Sequence, residues 1–232
     1  MKSPALSVPI KRATVLRIGF IVVLAVAGAA LLLQLADEMR RASRSGQFSQ
    51  IMAQASSLSK ALYHYGEDHE GRFPVGRDGA THAFRELIAG GYLTDETLFF
   101  VPGSAWHEEA PLRRPDNDIG TKPDFAQALE RGENHWAYVS GLTTESASNL
   151  PLIADGFVEG APGRYTDDPS KKGGLWKGTK AIVVFVSGSV VSMPLSAEDG
   201  FRVLRRRPDG SQEDIFTPEG GLPEAARVLN PW

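Results

Sequence analysis

The 232-residue chain has no cysteine, so neither a disulfide framework nor a thiolate nucleophile is available to it. Proline is missing from the whole stretch between Pro9 and Pro74, which leaves that region free to be helical. No Gly-x-Ser-x-Gly elbow, P-loop or Gly-x-Gly-x-x-Gly fingerprint occurs, and this removes the common hydrolase, NTPase and dinucleotide signatures. An excess of positive charge is also lacking: 25 Lys and Arg stand against 28 Asp and Glu, a net charge of −3, which argues against a nucleic-acid binder. The one basic cluster, Arg202 with Arg205, Arg206 and Arg207, closes an expected strand and reads as a solvated rim. There is no internal repeat and no low-complexity tract.

What the chain does have is an apolar run from Ile18 to Ala36, 19 residues in which only Gln34 is polar. As a helix it would be roughly 28 Å long, close to the hydrocarbon thickness of a bilayer. Lys2, Lys11, Arg12 and Arg17 precede it with no acid among them. A cleavable signal peptide is the competing reading, with Ala27-Gly28-Ala29 as the cut, but Ala30 to Ala36 stay apolar beyond it. The expected organisation is a basic cytoplasmic leader (1–17), a transmembrane helix (18–36), an amphipathic helical extension (37–66) and a soluble α+β domain (67–232). The flanking charges and the short N-terminal tail give an N-in, C-out topology: single-pass in a bacterial inner membrane, with the C-terminal domain extracytoplasmic.

A single helix is expected from about Thr14 to Tyr65, with Phe48, Met52, Ala55, Leu58, Leu62 and Tyr65 forming an apolar stripe at steps of three or four. A short helix follows from about Thr81 to Ala89, stopped by Gly90-Gly91. Leu98 to Val101 reads as a short strand or buried extended segment, Ala105 to Lys122 as a loop, and Pro123 to Arg131 as a helix. Strands are expected at Trp136–Ser140, Leu152–Ala154, Ala181–Val186 and Val190–Met193, the last two joined by a tight turn at Ser187-Gly188-Ser189. After Arg207 the chain reads as loops, with one helical turn at Pro223 to Val228.

Of the five histidines, His64 and His69 are five apart and do not share a helical face as a zinc pair would; His82 and Glu86 are spaced as a surface pair. A Ser-His-Asp triad can be assembled from scattered residues in almost any chain, and none is assigned. Asp116-Asn117-Asp118 and Glu67, Asp68 and Glu70 raise calcium, but Gln127 stands where an EF-hand counted from Asp116 needs its bidentate glutamate. These acids, with Asp167-Asp168 and Glu198-Asp199, are read as solvated. Trp106, Trp136, Trp176 and Trp232, with Tyr92, Tyr138 and Tyr165, could line a groove or simply pack. No catalytic, cofactor-binding or metal-binding residue is assigned, and no cofactor is expected.

Several phrases resemble one family. The basic leader with Gly19-Phe20, the continuous membrane-to-amphipathic helix, Leu62 to Pro74 ending Gly-Arg-Phe-Pro, Leu87 to Ser104 ending Val-Pro-Gly-Ser, and the hairpin Val183 to Val190 together resemble bacterial type IV pilin-like proteins and type II secretion pseudopilins. The match departs where that family has Cys-Pro (here Val101-Pro102), where its hairpin has aspartate (here Ser187), and at the fifth mature position, where Leu24 replaces glutamate. The resemblance implies an α+β pilin-like fold, a long N-terminal helix packed on a small antiparallel sheet. It also implies a non-enzymatic subunit of a type II secretion or pilus-like assembly, partnered by the membrane and by other pilin-like or secretion components. The alternative is a membrane-tethered extracytoplasmic ligand-binding domain that does not polymerise.

Overall fold

The computed structural model describes residues 34, 38, 45–107, 115–122 and 125–232. The chain divides into two units, Met1–Ser49 and Gln50–Trp232. In the first, residues 45–49 are helical and the Ser49 hydroxyl donates to the Ser45 carbonyl at 3.1 Å. All that follows concerns the second unit.

The second unit opens with a helix over residues 50–68, α1. Its buried side is Ile51, Ala55, Leu58 and Leu62, each with no exposed surface, at the four-three-four spacing of one helical face. The expected stripe is thus partly rotated: Ile51 takes the place given to Met52. Gln54 lies on the same side and donates through Nε2 to the carbonyls of Thr97 and Phe100 at 3.0 and 3.2 Å. Gly66 and Gly71 close the helix, the Gly71 N–H reaching the Gly66 carbonyl at 2.8 Å with φ +78°, a conformation other residues adopt at a cost.

A second helix, α2, covers Ala80–Ala89, within one residue of the expected bounds. It lacks a side-chain cap; the carbonyls of Asn230 and Pro231 instead accept from the Ala80 and Thr81 N–H groups. Its apolar face presses on the sheet, with the Phe84 ring 5.6 Å from Tyr138 and 5.1 Å from Phe99.

The remaining architecture is one antiparallel sheet of seven strands: β1 Trp136–Ser140, β2 Pro151–Asp155, β3 Lys180–Phe185, β4 Val190–Ser196, β5 Arg202–Arg206, β6 Gln212–Asp214 and β7 Arg227–Leu229. Their order is β6-β5-β4-β3-β2-β1-β7, a meander whose last strand returns to the free edge of β1. The sheet curls into a half-barrel. Register is fixed by pairs such as Trp136↔Asp155, Ala154↔Val183 and Val183↔Val191, with an irregularity between Pro151 and Ile153. Every residue of β1 and β2 is buried, which accounts for their largely apolar character; β4, with no buried residue, is covered far less.

Several expectations are corrected here. The pilin-like fold, and the resemblance behind it, are overturned: most of the described chain is a seven-stranded curled sheet with two α-helices, not a long helix on a small sheet. The strand expected to end in the basic cluster is β5, whereas β6 and β7 go beyond the expected strands because they are short and carry charge, so they lack the apolar alternation that betrays a strand. The helix expected over Pro123 to Arg131 is not formed by its described residues, 125–131, which run through turns, Phe125 and Leu129 both taking positive φ. Leu98 to Val101 begins in a 3-10 turn, Glu96–Phe99, capped by Asp95, whose side chain accepts from the Thr97 N–H.

The transmembrane span at 18–36, apart from Gln34, lies outside the described residues, as does the Gly19-Phe20 junction. Among the described residues no helix is long and apolar enough to cross a membrane. Single-pass anchoring in a bacterial inner membrane, with an extracytoplasmic domain, therefore has no structural support.

Candidate functional site

Where β1 and β2 lie side by side, the fold assembles a serine, a histidine and an aspartate that stand far apart in sequence. Ser104 follows the turn at Pro102-Gly103, His135 immediately precedes β1, and Asp155 ends β2 opposite Trp136. Ser104 Oγ is 2.6 Å from His135 Nδ1, and His135 Nε2 is 2.8 Å from Asp155 Oδ1. All three are buried.

The surrounding donors fix the direction of this relay. Ser104 Oγ accepts the Trp106 N–H at 3.2 Å, as the cap of the 3-10 turn Ala105–His107. Its own proton is therefore available to His135 Nδ1, leaving Nε2–H to donate to Asp155. The imidazole is thus turned the opposite way from the serine-protease arrangement, in which Nε2 faces the serine. Asp155 Oδ2 accepts from the Trp176 indole and from the Ile182 N–H, both at 2.7 Å. The Asp155 carbonyl also accepts the Tyr165 hydroxyl at 3.3 Å. The carboxylate is held on both oxygens, as a buried anion must be.

A second buried histidine flanks the first. The His107 ring lies 6.3 Å from that of His135; its Nε2 accepts the Val101 N–H at 3.1 Å and its Nδ1–H donates to the Gly132 carbonyl at 2.5 Å. Burial pushes its pKa down to about 4, the Gly132 hydrogen bond opposes this, and the nearby His135 adds to the lowering. Gly156, next to Asp155, lets the Trp106 indole approach the backbone: a Cβ there would stand 2.6 Å from the His135 carbonyl oxygen and nearer still to the indole nitrogen.

The constellation has the membership of a catalytic triad without a path for attack. Nucleophilic catalysis needs the hydroxyl open to a carbonyl about 3 Å away, beside preorganised oxyanion donors. Here the Ser104 hydroxyl is enclosed between the Trp106 amide and the His135 ring, and the residue is only 5% exposed. The sequence held no signal for this grouping, because its members belong to three separate segments and none sits in a motif.

The other suspected residues are dispersed. His64 pairs with Glu67 at 3.2 Å on the surface, and His69 bonds the Tyr65 carbonyl at 2.7 Å and stacks on the Tyr65 ring. Glu86 accepts the Tyr65 hydroxyl at 2.8 Å, and burial, reinforced by that bond and the Glu86 charge, raises the phenol's pKa well above its usual value. Asp116 and Asp118 accept backbone N–H groups two residues on, as turn-formers do. Among the described residues no group of three or more acids and histidines could hold a metal ion. Trp106, Trp136, Tyr138 and Tyr165 are core residues.

Two surface depressions lie among the described residues. One, of about 290 Å³, lies over β3, β4 and β5, lined by Phe185, Val191, Met193, Arg205 and Ile215. The other, of about 340 Å³, lies between α1 and the β3–β4 turn. No family model matches the chain, and no match was found among curated proteins or solved structures.

Proposed function

We propose that the chain is a non-enzymatic protein that works through contact with other proteins. The observation that carries this reading is the closure of the Ser104–His135–Asp155 relay: each of its polar atoms that could do chemistry is committed to a bond that braces the fold. The relay ties the 101–107 segment to β1, β2 and β3, and is used as structure.

A partner surface is supported by the less covered part of the sheet. Val191 is 40% exposed, a large apolar side chain left open on β4, beside Met193 and Phe185 in the groove. Arg205 borders that groove but is already held by Glu213 and the Gly220 carbonyl, so it offers no strong charge of its own. The fitting partner is a protein presenting an apolar side chain.

A fluorophosphonate ester, which labels activated serine hydroxyls, tests the first half. The intact protein should show no mass increase; a stoichiometric adduct on Ser104 would make it a hydrolase and overturn the reading. For the second half, a photo-crosslinking residue at position 191 should give one discrete protein adduct in the native cells, and a residue at exposed Val75 should not. Identical patterns at the two positions would remove the groove from the proposal.

A further inference from the structure

The cleft between α1 and the β3–β4 turn has a chemistry unlike the rest of the surface. From α1 it receives Ser56, Ser59, Lys60, Tyr63 and His64; from the turn it receives Ser187 and the glycine after it. Lys60 and His64 are four apart, hence on one helical face. No carboxylate lines the cleft, although the chain as a whole carries net charge −3. Lys60 is exposed and makes no ion pair among the described residues. Glu67, one turn on from His64, occupies His64 Nδ1 at 3.2 Å.

The opposite wall supplies hydroxyls. Ser187 Oγ lies 2.7 Å from Ser189 Oγ and accepts the Ser189 N–H at 3.3 Å, so the Ser187–Ser189 pair holds a proton that can be redirected to a ligand. The turn keeps its shape through Gly188, at φ +79° with its N–H on the Phe185 carbonyl. Tyr63 lines the cleft and is held edge-on to Phe73, ring centres 5.5 Å apart. A volume of about 340 Å³ is at the small end of ligand sites. It exceeds what a bare oxyanion fills.

We infer that this cleft binds a small phosphate or sulfate monoester, its anionic group between Lys60 and the Ser187 hydroxyl and its organic body against Tyr63. The inference goes beyond the partner-binding reading and stands whether or not that reading holds. Lysine supplies a point charge, and serine hydroxyls adapt to a tetrahedral oxyanion without demanding one geometry.

The test is a titration of the full chain with phenyl phosphate, phenyl sulfate and inorganic phosphate, followed by amide chemical shifts. Saturable shifts confined to 56–64 and 187–189 are expected for both esters, with inorganic phosphate binding at least fivefold more weakly. Lys60→Gln should weaken ester binding tenfold or more, Ser187→Ala severalfold, and Lys177→Gln, on the distant glycine-rich loop, not at all. Unchanged thermal midpoints in these exposed-site variants confirm that folding is not the cause. Equal losses for Lys60→Gln and Lys177→Gln, shifts scattered over the surface, or no saturable binding would each overturn the inference. Inorganic phosphate binding as tightly as the esters would overturn the role given to Tyr63.

Discussion

Replacing Asp155 by alanine removes, in one step, the acceptor for three donors: the buried His135 Nε2–H and Ile182 N–H, and the half-buried Trp176 indole N–H. A buried donor left without a partner costs about 1–3 kcal/mol. Because the three share one acceptor and can relax together, the losses do not add fully, and about 3–5 kcal/mol is expected for the variant. Asp155→Asn separates charge and shape from acceptor count. Its amide oxygen can still serve Trp176 and Ile182, while its NH2 faces His135, which must then move its proton to Nδ1 and donate to Ser104. That exchange keeps most bonds and should cost only about 1–2 kcal/mol. Urea unfolding of the full chain, followed by tryptophan fluorescence, measures both, since Trp176 reports on the carboxylate directly. With a slope of about 1–3 kcal/mol per molar urea, the alanine variant should lose at least about 1 M in midpoint. Were alanine and asparagine to cost the same, or alanine less than about 1 kcal/mol, the relay would not be the brace argued for it.

Three further outcomes follow from the same structure. His107 has a folded pKa near 4 against an ordinary 6.5, so the unfolded chain binds the proton more readily between those values. The stability it supports is complete above about pH 6.5 and falls as pH drops toward 4, by at most about 3 kcal/mol; His107→Gln should flatten that part of the stability–pH curve, and an unchanged slope would reject the assignment. Leu58→Ala and Leu62→Ala, at fully buried positions of α1, should each cost roughly 2–5 kcal/mol in chemical unfolding, and parental stability in both would remove α1 from the core. Gly156→Ala should lower the thermal midpoint sharply, because its methyl would collide with backbone at His135; a neutral result would mean that this strand end yields easily.

Local patterns in the sequence were legible where one force dominated. The strand β1 was readable to the residue, since Trp136 to Ser140 is an apolar run bounded by polar and glycine positions. The helix α2 was nearly so, because its four apolar residues recur with helical period before two glycines. The edge strand β6 was hidden: Gln212 to Asp214 pairs with β5 through backbone bonds and through Arg205 and Arg207 clasping Glu213, and charge at those positions mimics a loop. The site was hidden for a different reason. Ser104 looked like an ordinary turn residue, His135 like one of five scattered histidines, and Asp155 like the end of an apolar strand. Only the pairing of Trp136 with Asp155 brings the last two together, and register is a property of the sheet, not of either segment. The family resemblance failed for a related reason: its phrases are short local signals, and the arrangement of seven strands is decided by contacts they do not encode.

The return of β7 to β1 bears on how the molecule is made. Tyr138 finds its partner at Leu229, roughly ninety residues later, whereas every other strand pairs with its neighbour in the chain. During synthesis the meander from β1 to β6 can zip up in order as it emerges, while the outer side of β1 stays unpaired until the final strand appears. The nascent chain therefore carries an open strand edge while the residues between Ser140 and Arg227 are made. That closing step, the contact of longest loop in the sheet, is the natural rate limit of folding and the interval of greatest exposure to aggregation.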